Sequence, residues 1–535
     1  MKTVIRLAIA ALVLPAFHLS AATHFVSLGS TNPTPPYTDW ATAATNIQQA
    51  VDAASAGDMV LVTNGVYALG VRKTPNTNGL GFWFNRVAIT NAMTLQSLNG
   101  PQVTIIDGGG TNRCVSLADG VSLTGFTMTN GGGNYGSGVW CSSSNAFLTN
   151  CLIAGNYDFK GAVGGSLCDC TVSGNFNGGA EGCTLYNCTL MWNSANYTNG
   201  GGASGCRLYY CMLTGNSASF GDGGGVNESV LYNCTLSRNT ATAGYGYSSG
   251  GGAAYSTLYN CTLTGNWSSA GGGAFESTLY NCSLVNNSAV TNPMFGYGGE
   301  GGGACGCKLY NCIVYFNAGL RGANYDYSDD NPSTTSSTLN SCCTTPLPSP
   351  LQGVGDITNA PLFVNYDLAN LRLQSNSPCI NAGNNTYVTA PTDLDGNARI
   401  VSGTVDIGAY EYQGAGSRIS YAWLQQYGLP IDGSADYADP DLDGMNNWQE
   451  WVCGTDPTNS QSVLRMIAPH VSSGGVTVAW RSAPVHYFIE RSTTLDSPFT
   501  LIATNIPGAT TTTGYTDTNA VGPGPFFYRV GVNSP

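Results

Sequence analysis

The chain has 535 residues, which is more than one compact domain usually holds, and a formal net charge of −13. Hydrophobic residues make up 42% of it and charged residues only 9%, a composition that can bury a core and excludes a disordered chain. The negative charge argues against nucleic acid and against anionic membrane surfaces as partners.

The first 22 residues have the pattern of a secretory signal peptide. Lys2 and Arg6 precede an apolar stretch over residues 7–19, and small residues at 20–22 offer a cleavage site. The apolar stretch is too short to span a bilayer. The sequence therefore predicts a bacterial protein that is secreted or displayed on the cell surface, with no transmembrane segment in the mature chain.

Residues 45–54 place apolar side chains on one helical face, and strand-like runs follow at 59–62 and 103–106. A helix here could cover the open end of a β-solenoid, whose first coil would otherwise expose its edge. We therefore expect an N-terminal cap in this part of the chain.

Eight repeats follow, each built around a cysteine with Leu three residues before it, an apolar residue two after it and Asn five after it. The cysteines are Cys151, Cys170, Cys188, Cys211, Cys234, Cys261, Cys282 and Cys312. The asparagines are Asn156, Asn175, Asn193, Asn216, Asn239, Asn266, Asn287 and Asn317. Each repeat is too small to bury its apolar face alone, and its glycines and β-branched residues disfavour helices, so the pattern predicts a parallel β-helix.

Stacking of equivalent positions should give columns of like side chains. The cysteine and the apolar residue after it share strand parity and point inward, whereas the preceding Leu has the opposite parity. The chain must bend between them, and the Asn that precedes six of the cysteines tolerates the left-handed backbone of a bend. We expect a ladder of side-chain amides in the Asn column, and stacking of the tyrosines found two residues before six of the cysteines.

The cysteine column has two interpretations. Free thiols could fill the interior as small apolar side chains. Alternatively, coils about 4.8 Å apart place equivalent cysteines within disulfide range. We favour free thiols for the main column, whereas Cys183 and Cys206, one coil apart in a second column, are the best candidates for a disulfide.

Two family resemblances bear on this fold. Gly-Gly-Ala or Gly-Gly-Val runs combined with apolar-x-x-Asn tetrapeptides, as at 213–216 and 263–266, resemble the repeats of chlamydial polymorphic outer-membrane proteins over residues 138–320. That resemblance implies a right-handed β-helix on a surface adhesin. The N-terminal part is similar to the start of many pectate-lyase-like β-helix proteins.

Residues 361–412 resemble the choice-of-anchor Q domain, a module of surface or secreted β-helix proteins that implies no particular reaction. The matching segments include Ser377-Pro-Cys-Ile-Asn-Ala-Gly383, Asp393-Leu-Asp-Gly396 and Val405-Asp-Ile-Gly-Ala-Tyr-Glu411. We expect Asp393, Asp395 and Asp406 to hold turns and to pair with Arg399 rather than to act in catalysis.

Residues 439–450 carry the strongest chemical motif. Carboxylates stand at positions 1, 3, 5 and 12 of this loop and Gly at position 6, which is the spacing of an EF-hand loop. The predicted ligands are the side chains of Asp439, Asp441, Asp443, Asn447 and Glu450 and the carbonyl of Met445. The loop resembles the calcium repeats of dockerin and thrombospondin type 3, which implies a structural Ca²⁺. An acidic turn without metal is the alternative.

From residue 463 onward, alternating apolar runs separated by turns predict a fibronectin type III-like β-sandwich. The predicted fold class is therefore all-β: a right-handed parallel β-helix with a small calcium-binding module and a C-terminal sandwich. The predicted domains are a signal peptide at 1–22, the capped β-helix at 23–357, its choice-of-anchor Q-like part at 358–413, the calcium-binding module at 418–460 and the sandwich at 463–535.

Two functions fit this organisation. Aromatic residues on the variable edge suit sugar faces or protein contacts, which favours an adhesive, non-catalytic protein that binds an extracellular glycan or a surface protein. The candidate ligand-binding residues are Tyr197, Phe220, Tyr245, Tyr247, Trp267, Phe295 and Tyr297. The alternative is a polysaccharide lyase or glycoside hydrolase, for which Glu228 and Glu276, two coils or about 10 Å apart, are the catalytic candidates.

Overall fold

The structure, a computed structural model, describes residues 21–75, 81–133, 136–242, 248–291, 298–326, 336–349, 353–472, 474–494, 498–520 and 525–532. Residues 1–20, which hold nearly all of the predicted signal peptide, lie outside the described residues. The described chain consists mainly of short β-strands.

The repeats stack into a right-handed parallel β-helix, as predicted. Each repeat contributes, in chain order, one strand to sheet 1 (the Gly-Ala segments), one to sheet 2 (the Leu column) and one to sheet 3 (the apolar residue after each cysteine). Equivalent residues pair across coils, so that Leu185 lies opposite Leu208 and Leu190 opposite Leu213. A shorter sheet 4 adds a strand to the coils between residues 194 and 289.

The strands of these sheets have the following bounds within the described residues. Sheet 1 comprises Arg72–Pro75, Phe82–Ile89, Arg113–Leu117, Val139–Cys141, Ala162–Val163, Ala180–Glu181, Ala203–Ser204, Val226–Asn227, Ala253–Ala254, Ala274–Phe275 and Ala304–Cys305, of which the first two pair antiparallel. Sheet 2 comprises Thr23–Val26, Met59–Val62, Thr94–Ser97, Ser122–Thr124, Phe147–Thr149, Ser166–Cys168, Thr184–Tyr186, Arg207–Tyr209, Val230–Tyr232, Thr257–Tyr259, Thr278–Tyr280, Lys308–Tyr310, Thr338–Asn340 and Gly353–Val354. Sheet 3 comprises Gly65–Tyr67, Thr104–Asp107, Thr127–Thr129, Leu152–Ala154, Thr171–Ser173, Thr189–Met191, Met212–Thr214, Thr235–Ser237, Thr262–Thr264, Ser283–Val285, Ile313–Tyr315 and Cys343–Thr344. Sheet 4 comprises Ser194–Asn196, Ser217–Ser219, Thr240–Thr242, Trp267–Ser268 and Ser288–Ala289.

The Asn column forms the predicted ladder of buried side-chain amides. Asn216 Nδ2 donates to Asn239 Oδ1 at 3.0 Å and to the carbonyl of Leu190 at 2.9 Å, and the Asn216 backbone N–H donates to the same Oδ1 at 3.0 Å. The same three bonds join successive repeats from Asn156 to Asn317. The ladder therefore satisfies a buried amide and a buried backbone N–H in every coil.

The bend between sheets 2 and 3 lies where the sequence places it. The six asparagines that precede column cysteines have φ between 49° and 53°, which is left-handed backbone that Asn tolerates. Just after the bend the cysteines are buried at 0–2% exposure. All of the chain's cysteines are free thiols in the structure, and Cys234 Sγ donates to the carbonyl of Tyr232 at 3.2 Å.

The predicted tyrosine row also stacks on itself. Consecutive rings lie 4.7–5.1 Å apart with interplanar angles of 5–13°. The row comprises Tyr186, Tyr209, Tyr232, Tyr259, Tyr280 and Tyr310. The ring of Tyr387, from a later segment, packs on that of Tyr310 with 4.6 Å between the ring centroids. The tyrosine rings therefore mainly contact one another and other parts of the protein.

The N-terminal cap is helix α1, Ile47–Ala53, within the predicted 45–54. Asn46 begins it by accepting the Gln49 N–H at 3.0 Å, a favourable N-cap arrangement. Ile47, Ala50 and Val51 on α1 belong to the buried core of the β-helix.

After the last coil, residues 358–413 lie against the flank of the β-helix. Side-chain amides of the bend column reach this segment: Asn233 donates to the carbonyl of Asp393 at 3.1 Å and Asn311 to that of Asn384 at 2.9 Å. The segment contains two short antiparallel pairs and one 3₁₀-helix, within the described residues. These are Phe363–Asn365 with Asn370–Leu373, Ile400–Val401 with Thr404–Val405, and Asn385–Tyr387.

The acidic residues of this segment hold turns, as expected. Asp393 Oδ1 accepts the N–H groups of Asp395 and Asn397, and the carboxylate of Asp406 also accepts backbone N–H groups. The expected pairing of Asp395 with Arg399 is wrong, because Asp395 pairs with Arg372. The buried Arg399 guanidinium donates instead to the carbonyls of Asp406 and Gly408.

Two helices and a β-sandwich complete the described chain. Helix α2, Tyr421–Gln426, and helix α3, Asn447–Cys453, flank the acidic loop, and Leu424 of α2 packs with Phe363 and Ile407 of the preceding segment. The sandwich has one antiparallel sheet of Met466–Ser472, Gly475–Arg481 and Thr512–Asp517 and another of His486–Ser492, Thr500–Pro507 and Phe527–Val532. Its core includes the fully buried Trp480 and Ile489.

Candidate calcium site and aromatic surface

The acidic loop brings the three predicted aspartates together. Asp439, Asp441 and Asp443 each present a carboxylate oxygen, and these oxygens lie within 4.8 Å of one another. Asp439 Oδ2 accepts the Gly444 N–H at 3.0 Å, and Gly444 turns the loop with φ of 97°, a backbone conformation that suits glycine at this position.

The two remaining predicted side-chain ligands, Asn447 and Glu450, lie on α3. Asn446 and Gln449 form a capping box that begins this helix, and Asn447 and Glu450 lie on its first turns. Both are 0% exposed. Among the described residues, neither Glu450 carboxylate oxygen, nor Asn447 Oδ1, Asp441 Oδ2 or Asp443 Oδ2 has a hydrogen-bond partner.

Buried oxygens without partners are costly unless something positive lies between them. Burial, followed by the charges of Asp441, Asp443 and Asp439, raises the pKa of Glu450 to about 8. With one oxygen from each of the other five positions and two from Glu450, the set falls within the roughly six to eight oxygens that Ca²⁺ takes. The residues present therefore fit a calcium ion, and calcium binding stays a prediction.

Two of the candidate ligand-binding aromatics form an exposed platform. The rings of Tyr197 and Phe220 stack 4.6 Å apart with an interplanar angle of 6°, and they are 77% and 46% exposed. Each follows a strand of sheet 4 on successive coils. We call this pair the aromatic platform. Trp267 is the first residue of a sheet 4 strand and is 36% exposed. The other four candidates lie outside the described residues: Tyr245, Tyr247, Phe295 and Tyr297.

Trp192 is one of several exposed aromatic residues that the sequence interpretation did not single out. It is 65% exposed and stands immediately before the ladder residue Asn193, with its indole against Gly215 of the next coil, where an added Cβ would meet the ring at 2.5 Å. The sequence feature that could have indicated its exposure is a Trp at a repeat position that Gly occupies in the two neighbouring coils.

The two catalytic candidates lie in one exposed column. Glu228 and Glu276 follow sheet 1 strands two coils apart, and Tyr255 occupies the same position on the coil between them. Burial, then the charges of Asp222, Glu276 and Glu228, raises the pKa of Tyr255. Both glutamates are exposed on an open face, and their catalytic role stays untested.

Cys183 and Cys206 lie on adjacent coils, as the spacing predicts. Cys206 Sγ accepts the Cys183 N–H at 3.3 Å. Ser229 and Ser256 continue the same column and accept backbone N–H groups in the same way. Both cysteines are free thiols in the structure, and their disulfide stays a prediction.

Comparisons with known proteins return only distant structural similarity. No protein-family model and no curated protein matches the chain. Pectate lyase Pel9A is 15% identical with a TM-score of 0.39, over 74% of this chain and 98% of that one. The AlgE6 A-module, a mannuronan C-5 epimerase of Azotobacter vinelandii, is 13% identical with a TM-score of 0.35, over 59% and 95%. A rhamnogalacturonan lyase is 12% identical with a TM-score of 0.29, over 77% and 99%.

In the described part of the chain, the helices are all too short or too polar to cross a bilayer.

Proposed function

We propose that this protein is an extracellular, non-catalytic β-helix protein that binds a glycan on the aromatic platform and carries a structural Ca²⁺ in the loop after the helix. The observation that carries the proposal is the stacked, exposed pair of Tyr197 and Phe220. Flat aromatic faces pack against the C–H faces of sugar rings, and tyrosine adds a polar hydroxyl at its edge.

The platform is held by the coil backbone rather than by a flexible loop. The Tyr197 N–H donates to the carbonyl of Ser219 at 2.8 Å, and the Phe220 N–H donates to that of Thr242 at 2.7 Å. A preorganised surface loses little conformational entropy when a ligand binds. Asn196 and Thr198 flank Tyr197 in the chain, and their amide and hydroxyl groups could bind sugar hydroxyls.

The proposed calcium ion would act on structure rather than on chemistry. Glu450 and the three loop aspartates would be drawn together around it, which fixes the start of α3 against the loop. Because Trp448 and Trp451 of α3 pack against the cluster that contains Phe363 and Ile407, calcium would stabilise the whole segment that follows the β-helix. This role resembles that of calcium in other extracellular modules.

Affinity electrophoresis of residues 23–535 through gels containing neutral or acidic polysaccharides tests the binding proposal. We expect retardation by at least one polymer, weakened roughly tenfold by Tyr197→Ala and by Phe220→Ala because each removes one stacking face. Tyr210→Ala is the matched control, since it removes an exposed tyrosine elsewhere on the same coil. Equal retardation of all variants would refute the role of the platform.

The same polymers also test whether the protein is an enzyme. Incubated polymers are assayed for unsaturated products by ultraviolet absorbance and for new reducing ends, with and without calcium. Turnover that disappears in Glu228→Gln or Glu276→Gln would replace the binding proposal with a polysaccharide lyase or glycoside hydrolase.

A further inference from the structure

A cavity of about 660 Å³ lies where the last coil meets the two helices that flank the calcium loop. Its walls come from three places: the chain around Asp356 at the end of the β-helix, residues 381–384 of the flanking segment, and helices α2 and α3. Its volume is that of small-molecule binding sites, which fall at roughly 300–1,000 Å³. The aromatic platform shares no residue with this cavity.

The lining combines two indoles with uncharged polar groups. Trp423 of α2 and Trp451 of α3 are both half-buried. The polar groups include those of Ser341, Asn381, Ser420, Gln425 and Gln426. Indole faces pack against sugar rings, and amides can donate to and accept from the same sugar hydroxyl.

Two of these polar groups are already positioned by the protein. Asn381 Nδ2 donates to the carbonyl of Ser417 at 2.6 Å, which fixes that amide and leaves its Oδ1 as an acceptor. Gln425 Nε2 donates to the carbonyl of Asn376 at 2.9 Å. Such fixed amides give orientation to a ligand at little entropic cost.

The charge of the lining selects against acidic ligands. Asp356 is the ionisable residue among the described lining residues, and it accepts the Cys342 N–H at 2.7 Å. Burial raises the pKa of Asp356 to about 7. A carboxylate ligand would meet no basic side chain in this lining and would meet a negative charge once Asp356 ionises, so a neutral ligand fits better.

The calcium loop adjoins this cavity through α3. Glu450, a predicted calcium ligand, immediately precedes Trp451, a cavity wall, on the same helix. Without a cation, the three loop aspartates, whose carboxylate oxygens lie within 4.8 Å of one another, repel one another, and the buried carboxyl group of Glu450 on α3 has no hydrogen-bond partner among the described residues. A bound calcium ion would remove that repulsion and hold Trp451 in the wall.

We propose that this cavity binds a neutral mono- or oligosaccharide, and that calcium in the adjoining loop strengthens this binding by fixing α3. The calcium dependence rests on the proposed loading of the loop. The proposal of a saccharide site in the cavity is independent of the proposed glycan binding at the aromatic platform.

Isothermal titration calorimetry of residues 23–535 tests this proposal. The ligands are neutral sugars (glucose, galactose, xylose, rhamnose and their β-linked disaccharides), and galacturonate is the charged comparison. We expect a neutral sugar to bind in millimolar calcium, with quenching of tryptophan fluorescence, and affinity to fall about tenfold after chelation. Galacturonate should bind more weakly.

Three lining variants and one control variant locate the site. Trp451→Ala and Trp423→Ala should abolish the titration heat, whereas Trp192→Ala, which removes an exposed tryptophan from the coil surface, should leave it unchanged. Gln426→Ala, at an exposed position of the lining, should weaken binding and keeps the test decisive if a tryptophan variant does not fold. Absence of binding by the whole panel, or binding unchanged in the lining variants, would overturn the site.

The outcomes separate this inference from the proposed function. Sugar binding that is lost in Trp423→Ala but retained in Tyr197→Ala supports the cavity whatever the platform does. Equal affinity with calcium and with chelator would overturn the coupling. A direct calcium titration then shows whether the loop fails to load or loads without affecting α3.

Discussion

Replacing Glu450 with Gln should remove most of the calcium dependence of stability in the segment after the β-helix. A cation at roughly 10–100 times its dissociation constant stabilises the folded state by about 1.4–2.7 kcal/mol. Extracellular calcium modules bind with dissociation constants of roughly 10⁻⁴–10⁻³ M, so about 10 mM calcium reaches this range. The packing of α2 on residues 363–407 makes a unit of about 100 residues, for which 1 kcal/mol shifts Tm by roughly 4–8 °C. The expected shift is therefore on the order of 10 °C.

Differential scanning calorimetry with calcium and with chelator measures this shift. We expect it in the wild type and in Asp432→Asn, a matched control that removes an exposed carboxylate outside the loop, and only a remnant in Glu450→Gln. Without calcium, Glu450→Gln should be at least as stable as the wild type, because burial and three nearby aspartates already disfavour the ionised glutamate. The same calcium shift in the wild type and in Glu450→Gln would refute this reasoning.

Three further predictions concern the scaffold. Asn216→Ala should lower the free energy of unfolding by roughly 2–4 kcal/mol, because it leaves the donors of Asn193 and the carbonyl of Leu190 unpaired inside the β-helix. Urea unfolding measures this loss. A loss below about 0.5 kcal/mol, as expected for an ordinary surface change, would contradict the prediction. Arg399→Met should cost roughly 3 kcal/mol, since it leaves the carbonyls of Asp406 and Gly408 without their buried donor and removes the positive charge near Glu411. An unchanged Tm would count against this. Burial raises the pKa of Asp326 to about 6, so the folded state binds this proton more tightly than the unfolded state does. Stability from this group should therefore fall as pH rises from about 4 to 6, and Asp326→Asn should flatten that part of the pH profile of Tm.

The β-helix was predictable because its rules are local and repeated. The Asn five residues after each cysteine needs a partner at the same height on the next coil, and a fixed spacing supplies one, as the Asn216–Asn239 bond shows. The bend at Asn233 or Asn260 likewise follows from strand parity and from the backbone that Asn tolerates. The calcium loop was predictable for the same reason, because its ligands lie within twelve residues of sequence.

The features that were missed depend on contacts distant in sequence. Asn233 is 160 residues from Asp393, whose carbonyl it binds, and no local pattern indicates that residues 358–413 fold back along the flank. The cavity has the same origin, since Trp423 meets the coil end around Asp356 only after that return. Exposure of a single residue such as Trp192 follows from what the next coil places beside it, here Gly215, and not from its own repeat.

The proposed function is glycan binding on the Tyr197–Phe220 platform without any chemical change to the glycan. The most direct measurement is prolonged incubation of residues 23–535 with each polysaccharide that retards it, followed by product analysis and a second electrophoresis with Tyr197→Ala. We expect polymer of unchanged length, no unsaturated ends, and retardation that depends on Tyr197. Shortened or unsaturated polymer, or retardation that survives Tyr197→Ala and Phe220→Ala together, would contradict it.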